Sequence, residues 1–271
     1  MSGFTGIDDI VSKVTKLGQG NTFYSNKASP GSGTAAGTWM SYWYATGMPG
    51  AGSDPAATPG TVYDNADGSI WFADQVNFTR HLLASTWSAS QVMTLVIYDR
   101  LVAVSGLSLA STGNKTVSSS ALTRYTTGEQ VQAWLEITTA TTVTAPVVSM
   151  NSYTNQAGTA ARAGPTVTFP AAATVVRAMV PLPVQVGDYG VRACSTINVA
   201  TAASAGVCNF VLMRPLALLP INVADGGFAL NHVLDTLNLD RVYDGHTIAV
   251  AALVSTTTGA TIAGMLSAGH G

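Results

Sequence analysis

Charge is what this sequence has least of. Lys+Arg number 12 and Asp+Glu 14 in 271 residues, so charged side chains make up 10% of the chain and the formal net charge is -2. An ordinary soluble domain carries about 25%. With no basic patch, a phosphate backbone has nothing to bind, which excludes a nucleic-acid partner. Thr, Ser, Asn, Gly and Ala must supply the surface. Either that surface is a neutral polar coat, or much of it is covered in a stable assembly, and the second reading is preferred.

Other absences narrow the field. No uncharged apolar run approaches the roughly 20 residues that cross a bilayer as a helix, so no membrane partner is expected. The N-terminal text MSGFTGIDDIVSKVTKLG places acids inside its apolar segment and has no cleavage-type site, unlike a signal peptide. Synthesis in the cytoplasm, without export by the general route, follows as an expectation. The two cysteines, Cys194 and Cys208, do not make a disulfide framework. Two buried thiols are preferred over a bridge. His81, His232, His246 and His270 are scattered without metal-ligand spacing. There is no nucleophile elbow and no phosphate loop. Glu129 and Glu136 are the only glutamates, and with Asp74, Asp99 and Asp188 they form no evident facing pair. The expectation is a non-enzyme without metal or cofactor.

What is present is strand text. Gly187 to Pro220 reads as two strands folded on each other. Tyr189, Val191, Ala193, Ile197 and Val199 alternate with polar or small residues, and Val207 to Leu212 is continuously apolar. Small residues from Ala200 to Gly206 would turn the chain and set Cys194 opposite Cys208. Gln130 to Thr138 alternates in the same manner. Val92 to Tyr98 and Leu101 to Val104 read as strands around an Asp99-Arg100 turn, and Pro181 and Pro183 as breaks in pairing. About ten to thirteen short strands are expected in all. The fold class is all-β: an antiparallel β-sandwich, jelly-roll-like, with a short N-terminal helix and one or two short loop helices.

The helix is the clearest local element. Ile7, Ile10, Val11, Val14 and Leu17 share one face of Thr5 to Leu17, with Asp8 and Asp9 at the positive end. It docks either on its own domain or on a neighbouring subunit. Residues 1–37 are expected to be this helix and an extended Gly/Ser-rich arm, and residues 38–271 the sandwich, in one lobe or two split near 155–165. Further helical turns are expected over Phe78 to Leu83 and Ala229 to Leu239, and a plain Asp-Gly turn in DNADGS, Asp64 to Ser69. Ile7, Ile10, Val14, Leu17, Arg192 and Arg214 are the interface candidates, Arg being the favoured interface cation. Trp39, Trp43 and Trp71 would form a glycan platform in an alternative reading, a carbohydrate-binding module, or would be plain β core.

From Thr174 to Pro220, the text TVVRAMVPLPVQVGDYGVRACSTINVAT…GVCNFVLMRPLALLP resembles virion structural proteins of tailed bacteriophages, as does the closing NLDRVYDGHTIAVAALV. Within that group it most resembles head decoration or cement proteins. The resemblance implies a β-sandwich subunit on the outside of an icosahedral capsid. Its partners would be the major capsid protein and copies of itself, as a homotrimer, in a virion assembled in the host cytoplasm. A tail or fibre-base protein is the alternative within the same group.

Overall fold

The structure is a computed structural model, and it describes every residue except 1–3, 17–18, 32–34, 75–77, 142–143, 171–174 and 236–238. A helix opens the chain, α1 over Ile7–Val11, continuing as a wider π turn over Ser12–Lys16. The strands then run β1 (Gly20–Lys27), β2 (Thr38–Ser41), β3 (Gly47–Met48), β4 (Thr61–Val62), β5 (Arg80–Ala89), β6 (Met93–Ser108), β7 (Gly113–Thr116), β8 (Gln132–Thr139) and β9 (Val147–Asn155). After these come β10 (Val167–Thr168), β11 (Ala178–Leu182), β12 (Val191–Thr201), β13 (Val207–Ile221), β14 (Gly227–Asn231), β15 (Arg241–Val242), β16 (Ile248–Val254) and β17 (Ile262–His270). The protein is all-β and antiparallel, as the alternation predicts.

One sheet closes on itself. β13, β8, β11, β2, β16 and β6 pair in that order, and β6 pairs back with β13, making a ring with β4 added outside β6. Closure removes sheet edges. The order β14-β5-β17-β1-β3 forms a second sheet, and β10-β9-β12-β7 a third. Side chains alternate around the ring. One set, including Leu95, Ile97, Leu135, Phe210, Leu212 and Val250, belongs to a buried cluster that also takes in Trp87 and Leu266 of the second sheet and Met150 and Ile197 of the third. That set therefore faces out of the ring and forms the core shared by all three sheets. The alternate set, including Trp43, Tyr98, Trp134, Val211 and Met213, faces in and forms a core of its own.

The central hairpin of the sequence reading does not form. β12 pairs with β9 and β7, whereas β13 pairs with β6 and β8. Cys194 lies opposite Tyr153, and Cys208 lies opposite Ile137 and Leu107, so the thiols sit in different sheets and both are free. Residues 202–206 are a crossing rather than a hairpin turn. The amide of Ala203 donates to the Leu109 carbonyl at 3.0 Å, and Leu109 donates to Gly206 at 3.0 Å. Period-2 patterns define strands but not partners, and here the long-range partners prevail.

Three further expectations change for identifiable reasons. Phe78 to Leu83 is not helical. A bulge leaves Leu83 out of register between Ala84–Ser267 and Leu82–Ala268, so two adjacent leucines mimic helical spacing inside a strand. Asp99-Arg100 is no turn, because both residues lie within the 16-residue β6 and are fully buried. Ala229 lies in β14, and the described residues after it form a turn at 232–235, where Asn231 accepts from the amides of Val233 and Leu234. The prolines follow edges. Pro181 pairs with Trp134 on one side only, since β2 reaches only Ala178 and Met179. Pro215 and Pro220 lie in β13 past Met213, where its pairing with β8 ends. The segment expected as an extended arm contains β1, which pairs along its whole length with β17.

Candidate functional site

Two ion pairs are buried in the protein. Within the ring, the Arg100 guanidinium donates to both Glu136 carboxylate oxygens, at 2.9 and 3.5 Å, and neither residue touches solvent. The Tyr44 hydroxyl donates to Glu136 at 3.2 Å and accepts from the Asn209 amide at 3.0 Å. Arg100 also lies 5.1 Å from the ring centres of Trp43 and Tyr63. Burial raises the Glu136 carboxyl, but the facing guanidinium outweighs it and holds the group below the usual carboxylate range. Asp99, on the outward face of the same strand, is gripped by Arg124 at 2.6 and 2.7 Å and accepts from the Thr247 amide. Each of the two carboxylates faces its own arginine, so this pair cannot work as acid and base across a substrate.

A second cluster closes the loops of the third sheet. Arg162, Tyr153 and Asn155 converge on Asp188, which lies at the entry to β12 and shapes that turn. The Arg162 hydrogen bonds hold the Asp188 carboxyl down at about 2. Lys27 is different, being buried against backbone carbonyls. Its ammonium donates to the carbonyls of Ala45 at 3.2 Å and Gly50 at 2.7 Å, and burial pulls it down to about 8. Burial pushes the Cys194 and Cys208 thiols up to about 12, which makes them poor nucleophiles. Among the described residues no group of three His, Cys, Asp or Glu could hold a metal ion.

The interface candidates separate. Arg192 donates to the Gln156 and Thr127 carbonyls, and Arg214 pairs with Asp240 at 3.1 Å and bonds Gln130, so both tie loops of this chain together. Val14 of the helix packs on bare backbone: a Cβ added at Gly20 or Gly269 would meet its methyls at 2.8 Å. Phe4 and Lys13 cover Gly271 in the same way. The helix thus docks on its own sheet, over β1 and β17. Ile10 is half-buried, Ile7 is 57% exposed, and Leu17 lies outside the described residues.

The three tryptophans form no common platform. Trp43 is buried, its indole donating to the Ser53 carbonyl at 3.0 Å. Trp39 is half-buried, edge-on to Trp134 at 5.7 Å, in a cleft of about 420 Å³ with Val96, Pro215 and Leu218. Trp71 is 44% exposed on a separate cleft of about 640 Å³. Both clefts are built from residues distant in sequence, and only the tryptophans signalled them. The exterior otherwise carries single large apolar side chains, among them Tyr24, Val186, Tyr189, Leu218 and Val223.

No protein-family profile and no curated protein matches this chain. Among solved structures, the infectious bursal disease virus VP2 subviral particle aligns with 97% of this chain and 87% of its own at 10% identity, with a TM-score of 0.18. The structure of the Gt strain of the same virus aligns with 96% and 86% at 9% identity, with a TM-score of 0.16. Likeness at that level carries no argument about fold or function.

Proposed function

We propose that the chain is a non-enzymatic virion structural protein that binds the outside of an icosahedral phage capsid and stabilises it, as a cement or decoration subunit in homotrimers. The observation that carries this reading is the distribution of charge. Arg80, Arg100 and Arg124 are buried, Arg162 and Arg214 are paired with aspartates, and Arg192 is bonded to backbone carbonyls. Among the described residues no lysine or arginine stands out into solvent and the ionic groups left there are acids, Asp54, Asp64 and Glu129 among them, while Ile7, Tyr189, Leu218 and Val223 stand out as well. A chain with so little charge suits a surface that is covered by neighbours, since interface cores are depleted of charged residues. The resemblance of 174–220 to head decoration proteins points the same way, and the ring supplies a stiff body that needs no turnover.

The test is binding to particles. Purified chain mixed with empty capsids of a tailed phage carrying its gene should cosediment at fixed stoichiometry and occupy symmetric outer sites in image reconstructions. Decorated capsids should resist heat better than bare ones. Recovery in the tail fraction alone, or no binding to capsids, would overturn the reading.

A further inference from the structure

The 640 Å³ cleft beside Trp71 has the make-up of a ligand site. Phe23 and Pro49 join Trp71 in its apolar lining, Asp67 and Ser69 bring short polar side chains to it, and Asn65 stands in its wall. The two loops that wall it are held from beneath. Gly52 donates to the Trp43 carbonyl at 2.9 Å, and the Trp43 indole donates to Ser53. Gly68, at φ +90, lies so close to Gly52 that a Cβ there would come within 2.4 Å of the Gly52 nitrogen. Only glycines permit that approach, so the walls are preformed. Asn65 is itself held at φ 45, its amide nitrogen bonded to Asp74 and its Oδ1 buried without a hydrogen-bond partner among the described residues, so it shapes the wall rather than reaching into the cleft.

We propose that this cleft binds a neutral saccharide, with Trp71 stacking on the apolar C–H face of a sugar ring and Asp67 hydrogen-bonding its hydroxyls. A broad exposed indole beside acceptor groups matches a ligand with one apolar face and a hydroxyl rim. Among the described residues lining the cleft there is no Lys or Arg, and Asp67 is exposed, which disfavours phosphorylated or sulfated ligands. Lys27 is buried behind Gly50, bonded to its carbonyl. The other large cleft, between Trp39 and Leu218, is dominated by apolar side chains around an internal Trp134 and lacks a comparable exposed platform. The inference goes beyond the capsid reading and does not depend on it, since it needs only the isolated chain.

The experiment is calorimetric titration of the full chain with maltohexaose, cellohexaose, laminarihexaose and chitohexaose, with heparin and inorganic phosphate as anionic probes. At least one neutral oligomer should bind with a micromolar to millimolar Kd. Trp71→Ala should weaken it by about tenfold or more at unchanged Tm, Asp67→Ala should weaken it less, and Trp39→Ala should leave it unchanged. Silence from all four neutral oligomers at millimolar concentration would overturn the proposal. So would binding that survives Trp71→Ala, or binding of the anionic probes alone. If Trp71→Ala lowers Tm, Trp71→Phe and Asp67→Ala decide the matter, and undiminished binding in both overturns it.

Discussion

At the scale of single residues, the determining fact is that two ion pairs, Arg100–Glu136 and Arg124–Asp99, lie where water does not. Removing one partner of a buried pair leaves the other charge uncompensated, at a cost of about 3–5 kcal/mol, whereas exchanging both for apolar groups is often close to neutral. Arg100→Met should therefore destabilise the protein by about that amount in denaturant titration, while Arg100→Met/Glu136→Leu should recover most of the loss. A double variant no better than the single one would show that Tyr44 and Asn209, not the charge pair, hold the ring interior. Lys27 gives a pH signature of the opposite kind. Below pH 8 both folded and unfolded chains hold its proton, and the fold bears the full cost of burying an ammonium. Between about 8 and its ordinary 10.5 the unfolded chain binds more proton than the folded one, so stability rises with pH across that window. Thermal melts of the wild type and Lys27→Met should converge or cross on this rise, by on the order of 2–3 kcal/mol in relative stability. Parallel melt curves from pH 7 to 10.5 would contradict the assignment. Asp188 acts on the acid side. Its lowered carboxyl contributes stability that is whole above the usual aspartate value of 3.8 and is lost as pH falls toward about 2, a slope that Asp188→Asn should abolish.

At the scale of elements, the N-terminal helix rests on glycines, and this makes its docking separable from the β body. Gly269→Val would place methyls where Val14 and Leu83 now lie. Hydrogen exchange should then quicken over 6–16 while the β6 and β13 amides keep their protection. If exchange quickens throughout, the helix is part of the common core. The same elements show what a sequence can and cannot carry. The helix was legible because Ile7, Ile10 and Val14 repeat at helical spacing, and β8 because Ala133, Leu135 and Ile137 alternate with Trp134 and Glu136. At its start Gly6 occupies the cap position, and the Asp9 side chain accepts from the Thr5 amide at 3.0 Å. β5 was illegible because its bulge at Leu83 breaks the period, and β6 because Asp99-Arg100 resembles a turn until Arg124 and Glu136 are known to meet it. The partners of β12 and β13 were beyond reach for a simpler reason. Matching two alternating strands costs nothing locally, and the sheets they join are set by β6, β8 and β9, tens of residues earlier. The tryptophans pointed to recognition surfaces, but which of them would be exposed depended on Gly52 and Gly68 drawing two loops over Trp43.

At the scale of the whole molecule, a closed ring sharing one core with two flanking sheets leaves little to bend, and a chain with only 10% charged residues leaves its exterior sparsely charged. These two properties decide how assembly should respond to salt. Contacts made by a charged surface weaken steeply as ions screen them, because the Debye length falls from about 10 Å at 0.1 M to about 3 Å at 1 M. Contacts made by Tyr189, Leu218, Val223 and the uncharged Thr and Ser around them bury apolar area and change little, or strengthen in sulfate. The proposed capsid association should therefore vary by less than about threefold in Kd between those two salt concentrations, measured by cosedimentation, and should tighten in ammonium sulfate. A fall of tenfold or more would mean that the exposed acids, Asp8, Asp64 and Asp225 among them, make the contact. The partner surface would then have to be basic, and the argument from a sparsely charged exterior would fail even if the protein decorates the shell.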